Sequence, residues 1–111
     1  MVSFEEKYKD LGIFTFKEKG FSFIINEISK EKKWSDIEEI NVYKLDLYTT
    51  DEICMDIVFK ETYITFSEET PGWYQLIIKL KEVFKQIPEN WDKEIVKPPF
   101  ATNFKTIYKL D

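Results

Sequence analysis

Trp73-Tyr-Gln-Leu-Ile-Ile-Lys-Leu-Lys-Glu-Val-Phe-Lys-Gln-Ile87 is the stretch whose reading decides the fold. Its apolar side chains fall at Trp73, Leu76, Ile77, Leu80, Val83, Phe84 and Ile87, the spacing that gathers them on one side of a 3.6-residue helix. Each is worth about 1.5–3 kcal/mol when buried, so the stripe demands a surface to cover. We expect one amphipathic helix over about 71–87. Thr70 is placed to cap it and Pro71 to occupy its first position, with Glu68 and Glu69 at the positive end of the helix dipole. Lys79, Lys81 and Lys85 populate the later turns, and Pro88 ends it.

The segments before the helix supply the surface it covers. Ile13-Phe-Thr-Phe16 and Phe21-Ser-Phe-Ile-Ile25 alternate on either side of the turn at Lys17-Glu-Lys-Gly20, which reads as a hairpin. Lys30-Glu-Lys-Lys33 reads as a turn or as the solvated edge of a short strand. Between Ile37 and Tyr48 the apolar parity shifts, from Ile40 and Val42 to Tyr43, Leu45 and Leu47. Such a shift predicts a bulge, or a bend where the strand passes between sheets. Ile53, Met55, Ile57 and Phe59 alternate with Cys54, Asp56 and Val58, and Ile64 and Phe66 form the inward pair of the next strand. Beyond the helix, Asn90 is placed to cap a short turn or helix, Pro98-Pro99 is extended, and 104–109 reads as an added strand. Phe4, Tyr8 and Leu11 suggest a short helix before Gly12. The expected fold is α+β, a bent antiparallel sheet or partial barrel of about six strands with one main helix, and 1–111 forms one domain.

Composition narrows the function. The chain has 111 residues, 16 basic against 21 acidic side chains and a net charge of −5, and all of its basic residues are lysine. Without arginine forks, and with a negative field, nucleic-acid binding is disfavoured. Arginine-free, Lys-, Ile- and Phe-rich usage fits an AT-rich bacterial genome. Histidine is absent, which removes imidazole bases, Ser-His and Cys-His dyads and histidine-ligated metals. Cys54 has no partner for a disulfide, and Asp56 beside it disfavours a thiolate. Adjacent carboxylates at Glu5-Glu6, Glu38-Glu39, Asp51-Glu52 and Glu68-Glu69 do not converge locally. Gly12, Gly20 and Gly72 stand apart, so no phosphate loop is present. We therefore expect no enzyme, no cofactor and no metal. No apolar run has the length of a membrane span and Met1-Val-Ser-Phe-Glu-Glu has no signal-peptide character, so a cytoplasmic location without membrane insertion is expected.

Trp34-Ser-Asp-Ile37, preceded by a Phe-rich hairpin and followed by a meander and one helix, resembles pleckstrin-homology-like and GRAM-like domains over residues 12–87. The resemblance implies a bent antiparallel barrel closed by a helix and used as a protein-binding scaffold. The basic pattern of the lipid-binding members is missing, since only Lys17 and Lys19 flank Glu18, so phosphoinositide binding is not implied. The favoured function is non-catalytic protein binding, in its most specific form an immunity-like protein that masks a basic toxin. A domain binding a small lipid or apolar ligand is the alternative, and a carboxylate-dependent enzyme comes third. The candidate interaction surface comprises Trp73, Tyr74, Trp91, Phe100, Phe104, Glu68 and Glu69.

Overall fold

A computed structural model gives the fold and describes residues 11–47, 50–97 and 102–110. Strands β1 (Phe14–Phe16), β2 (Gly20–Ile25) and β3 (Ile28–Lys33) form one antiparallel sheet in that order. A 3-10 turn (Trp34–Asp36) leads to β4 (Glu39–Asp46), β5 (Asp51–Val58) and β6 (Tyr63–Ser67). Helix α1 (Trp73–Val83), the short α2 (Trp91–Glu94) and β7 (Asn103–Lys109) complete the order. The second sheet runs β6-β5-β4-β7, so the last strand returns beside β4 and makes it interior. The fold is α+β, with two antiparallel sheets of three and four strands and one main helix. Among the described residues no closed barrel forms, and seven strands replace the expected six.

The expected first hairpin is present, and its continuation into β3 rests on a two-residue turn in which Asn26 and Glu27 take φ of 52° and 66°. Lys30–Lys33 thus belongs to a solvated edge strand rather than a turn. Trp34 locks the 3-10 turn onto that sheet. Its indole lies 4.9 Å from the Phe21 ring and donates a hydrogen bond to the Lys17 carbonyl at 3.1 Å. The core joins Phe14, Phe21 and Phe23 of the first sheet to Ile40, Val42, Met55 and Ile57 of the second, with Leu76, Ile77 and Leu80 of α1 packed among them. A phenylalanine-rich, alternating hairpin and a helical stripe have found each other.

Several expectations are corrected. The parity shift in β4 is not a passage between sheets: β4 stays in one sheet, and Lys44 continues the inward series of Ile40 and Val42 while Leu45 and Leu47 are exposed. The register does slip opposite Ile40 and Asn41, but the extra residue is Ile107 on β7, whose side chain reaches the core at 3% exposure.

The helix is also shorter than 71–87 at both ends. Thr70 caps β6 instead, its Oγ1 accepting the Ser67 N–H at 3.2 Å, and Gly72 at φ 91° takes the N-cap position. Pro71 precedes the helix and accepts the Ile13 N–H, and no L side chain fits at Gly72, where a Cβ would meet the Leu11 carbonyl. At the other end Phe84 leaves the helix in an extended conformation and packs 4.4 Å from Tyr108 and 6.3 Å from Trp34, ring centre to ring centre. The aromatic contacts end the helix before Pro88 can. Asn90 does precede α2, but its backbone carbonyl rather than its side chain does the capping. The expected N-terminal helix at Phe4 and Tyr8 lies outside the described residues.

Candidate interaction surface

The core takes one side of the four-stranded sheet. Alternation then assigns Asn41, Tyr43 and Leu45 of β4, Glu52, Cys54 and Asp56 of β5, Thr65 of β6, and Phe104 and Thr106 of β7 to the opposite side. None of these belongs to the core cluster, though Asn41 and Cys54 are closely covered by their neighbours.

Contacts on this outer face tie the strands together. Asp56 Oδ1 accepts hydrogen bonds from the Tyr43 hydroxyl at 3.0 Å and from Thr65 Oγ1 at 2.7 Å, linking β4, β5 and β6. The Tyr43 and Phe104 rings stack 6.5 Å apart across the β4–β7 pair. Thr106 Oγ1 donates to Asn41 Oδ1 at 2.6 Å, and Asn41 Nδ2 to Glu39 Oε2 at 2.7 Å. Glu39, Glu52 and Asp56 give the face three carboxylates, and Lys109 sits at one end of it, opposite Glu39. The result is a fixed, acidic platform with aromatic rings, Phe104 being 63% exposed and Tyr63 64%. Because the side chains are already held by one another, a partner would find them ordered before contact.

The platform offers little to covalent chemistry. Burial first, and then the hydrogen bond to Glu52, pushes the Cys54 thiol up to about 11. The thiol stays protonated at neutral pH and is a poor nucleophile. Burial, and then the bond to Asp56, pushes the Tyr43 phenol up to about 12. Among the described residues no three of His, Cys, Asp and Glu stand together to hold a metal ion, and no helix is long and apolar enough to cross a membrane.

Of the described residues singled out from sequence, the structure places only Phe104 on this face. Tyr74 is 64% exposed but lies over the cleft between α1 and α2, among charges of both signs that include the 2.9 Å Lys81–Asp92 ion pair. Trp73 is half-buried against the core. Trp91, expected at the surface, is 1% exposed and is a core residue, because α2 turns it inward with Ile95. Glu68 spends its carboxylate on the Ile53 N–H at 3.1 Å and Glu69 remains exposed at the β6–α1 turn, so neither joins the platform. Phe100 lies outside the described residues. The residues that sequence reading missed are Glu39, Tyr43, Glu52, Asp56 and Thr65. Alternation had set Asp56 opposite the core residues, but only the β4–β5–β6 register brings it to Tyr43 and Thr65.

Compared with protein-family models, with curated proteins and with solved structures, the chain matches none.

Proposed function

We propose that this chain is a non-catalytic protein-binding module whose outer sheet face receives a basic protein partner. The observation that carries the reading is the ordered platform of Glu39, Glu52 and Asp56 around Tyr43 and Phe104, with no lysine across its middle among the described residues. Carboxylates held on a flat face steer and orient a cationic partner, and the exposed rings supply the apolar anchor. A basic toxin masked by an immunity-like protein is the specific form of this proposal. The resemblance to pleckstrin-homology-like domains belongs to the same proposal, as a scaffold that presents surfaces to proteins.

An apolar ligand held in the sheet–helix interior has less support, since Phe21, Phe23, Met55, Ile57, Leu76 and Leu80 already fill that space at no more than 1% exposure each. The test is capture of partners from the host by the tagged chain at low and at high salt, with wild type beside Glu52→Lys. A basic protein retained at low salt by wild type, released by salt and lost with Glu52→Lys, supports the reading. Retention indifferent to both salt and charge reversal overturns it.

A further inference from the structure

β3 and β6 are both edge strands, one from each sheet, and a groove of about 520 Å³ lies between them. Its walls include Ile25, Ile28, Lys30, Lys32, Tyr63 and Ile64, and among the described residues no carboxylate lines it. This is unusual in an acidic chain. Ile25, Ile28 and Tyr63 are 42%, 60% and 64% exposed, an apolar edge of the kind that natural sheets normally blunt.

The backbone of β6 is also open on that side. Phe59 N–H donates to Thr62 and Glu68 N–H to Ile53, which fixes Phe59–Thr62, Ile57–Ile64, Met55–Phe66 and Ile53–Glu68 as the hydrogen-bonded pairs of the antiparallel ladder. Tyr63, Thr65 and Ser67 therefore aim their amide groups away from β5. Ser67 spends its own in the turn to Thr70, and among the described residues no strand pairs with Tyr63 or Thr65. On β3 the same counting from the Ile25–Ile28 pair puts Ile28, Lys30 and Lys32 at bonded positions with their side chains on one face.

From this geometry we infer a second binding surface, which borders the acidic platform along β6: the β6 edge takes an extended acidic peptide as an added strand. Main-chain bonds to Tyr63 and Thr65 hold the peptide. Its apolar side chains pack on Ile25, Ile28 and Ile64, and its carboxylates meet Lys30 and Lys32. Charge selects the occupant, since among the described residues the groove presents Lys30 and Lys32 and no carboxylate, Lys32 bordering Asp36, Glu38 and Glu61 only on its other side, and this favours an anionic segment over a cationic one.

The test uses the full chain and a blocked peptide of about seven residues, a strand's length, whose alternate positions, sharing one face, carry Val at one end and Glu at the other, with Thr between them. Binding is followed by amide exchange and by titration. The expected result is saturable binding with new exchange protection at Tyr63 and Thr65, and no binding of the matching Lys–Val peptide. Thr65→Pro, which removes an edge donor but no β5 ladder bond, abolishes it. Lys30→Glu, on an exposed position, weakens it by roughly fivefold, the order expected for one exposed charge pair. Binding without protection at Tyr63 and Thr65, equal binding of the Lys–Val peptide, or protection that instead grows with protein concentration in the absence of peptide overturns the inference, the last by making a second copy of the chain the occupant.

Discussion

Lys44 reaches across the interior to the carbonyl of Val96, 2.9 Å away and 52 positions on in sequence, and its side chain is fully buried. Asp51 supplies the counter-charge at 3.6 Å. A charge taken out of water is tolerated only with such partners. The pair also fastens the segment after α2 to the inner face of β4. Asp51→Ala, which leaves the ammonium in place without that carboxylate, is expected to cost about 3 kcal/mol, whereas Lys44→Met combined with Asp51→Ala, which removes both charges, costs less. Urea unfolding of both variants checks the order, and the reverse order would show that the lysine is held for its own sake.

Alkaline pH probes the outer face. Cys54 is raised from the ordinary 9.0 to about 11 and Tyr43 from 10.0 to about 12. The folded state therefore holds both protons more tightly than the unfolded chain does. Their contribution is whole below about pH 9 and is lost as pH climbs towards the folded values. The urea midpoint should fall with pH over that window, and Cys54→Ala together with Tyr43→Phe should flatten the fall.

Backbone handedness separates three positions. Gly12 and Gly72 have φ of 59° and 91°, and a Cβ on Gly12 would run into Pro71. Gly12→Ala and Gly72→Ala should each destabilise by about 2 kcal/mol or more, through strain and collision together. Glu27, at φ 66° in an open turn, should respond in the opposite sense, with Glu27→Gly gaining about 1 kcal/mol. Thermal midpoints of the three variants decide it.

Trp91→Ala should cost about 3–5 kcal/mol, the range for emptying a buried aromatic site. Tyr74→Ala, at an exposed position, should stay within about 1 kcal/mol. Equal costs would contradict the placement of Trp91 in the core.

The sequence made the fold legible wherever a period could be read. The Leu76, Ile77 and Leu80 stripe, the Phe14–Phe23 hairpin and the Ile53–Ile57 alternation each carry their own geometry, and all three meet in the core. The return of 104–109 as a strand was also legible, because Ile107 and Tyr108 are too apolar for a free tail. What could not be read depends on partners distant in sequence. Lys44 looks like a surface residue until Asp51 and Val96 are beside it. Thr70-Pro71 has the chemistry of a helix start, yet the approach of Leu11 hands that position to Gly72. Phe84 carries the helical period and leaves the helix for Trp34 and Tyr108. The platform was least legible, since Tyr43, Asp56 and Thr65 become neighbours only through the strand register, which no local signal sets.

The central claim is that a basic protein docks on the face bearing Phe104 and Asp56. Its most direct test places a photo-crosslinking phenylalanine at position 104 and, separately, at position 74, with irradiation in the host cell. We predict a crosslink from position 104 to a basic protein that disappears with Glu52→Lys, and none from position 74. A crosslink confined to position 74, or one from position 104 that survives the charge reversal, would contradict the account.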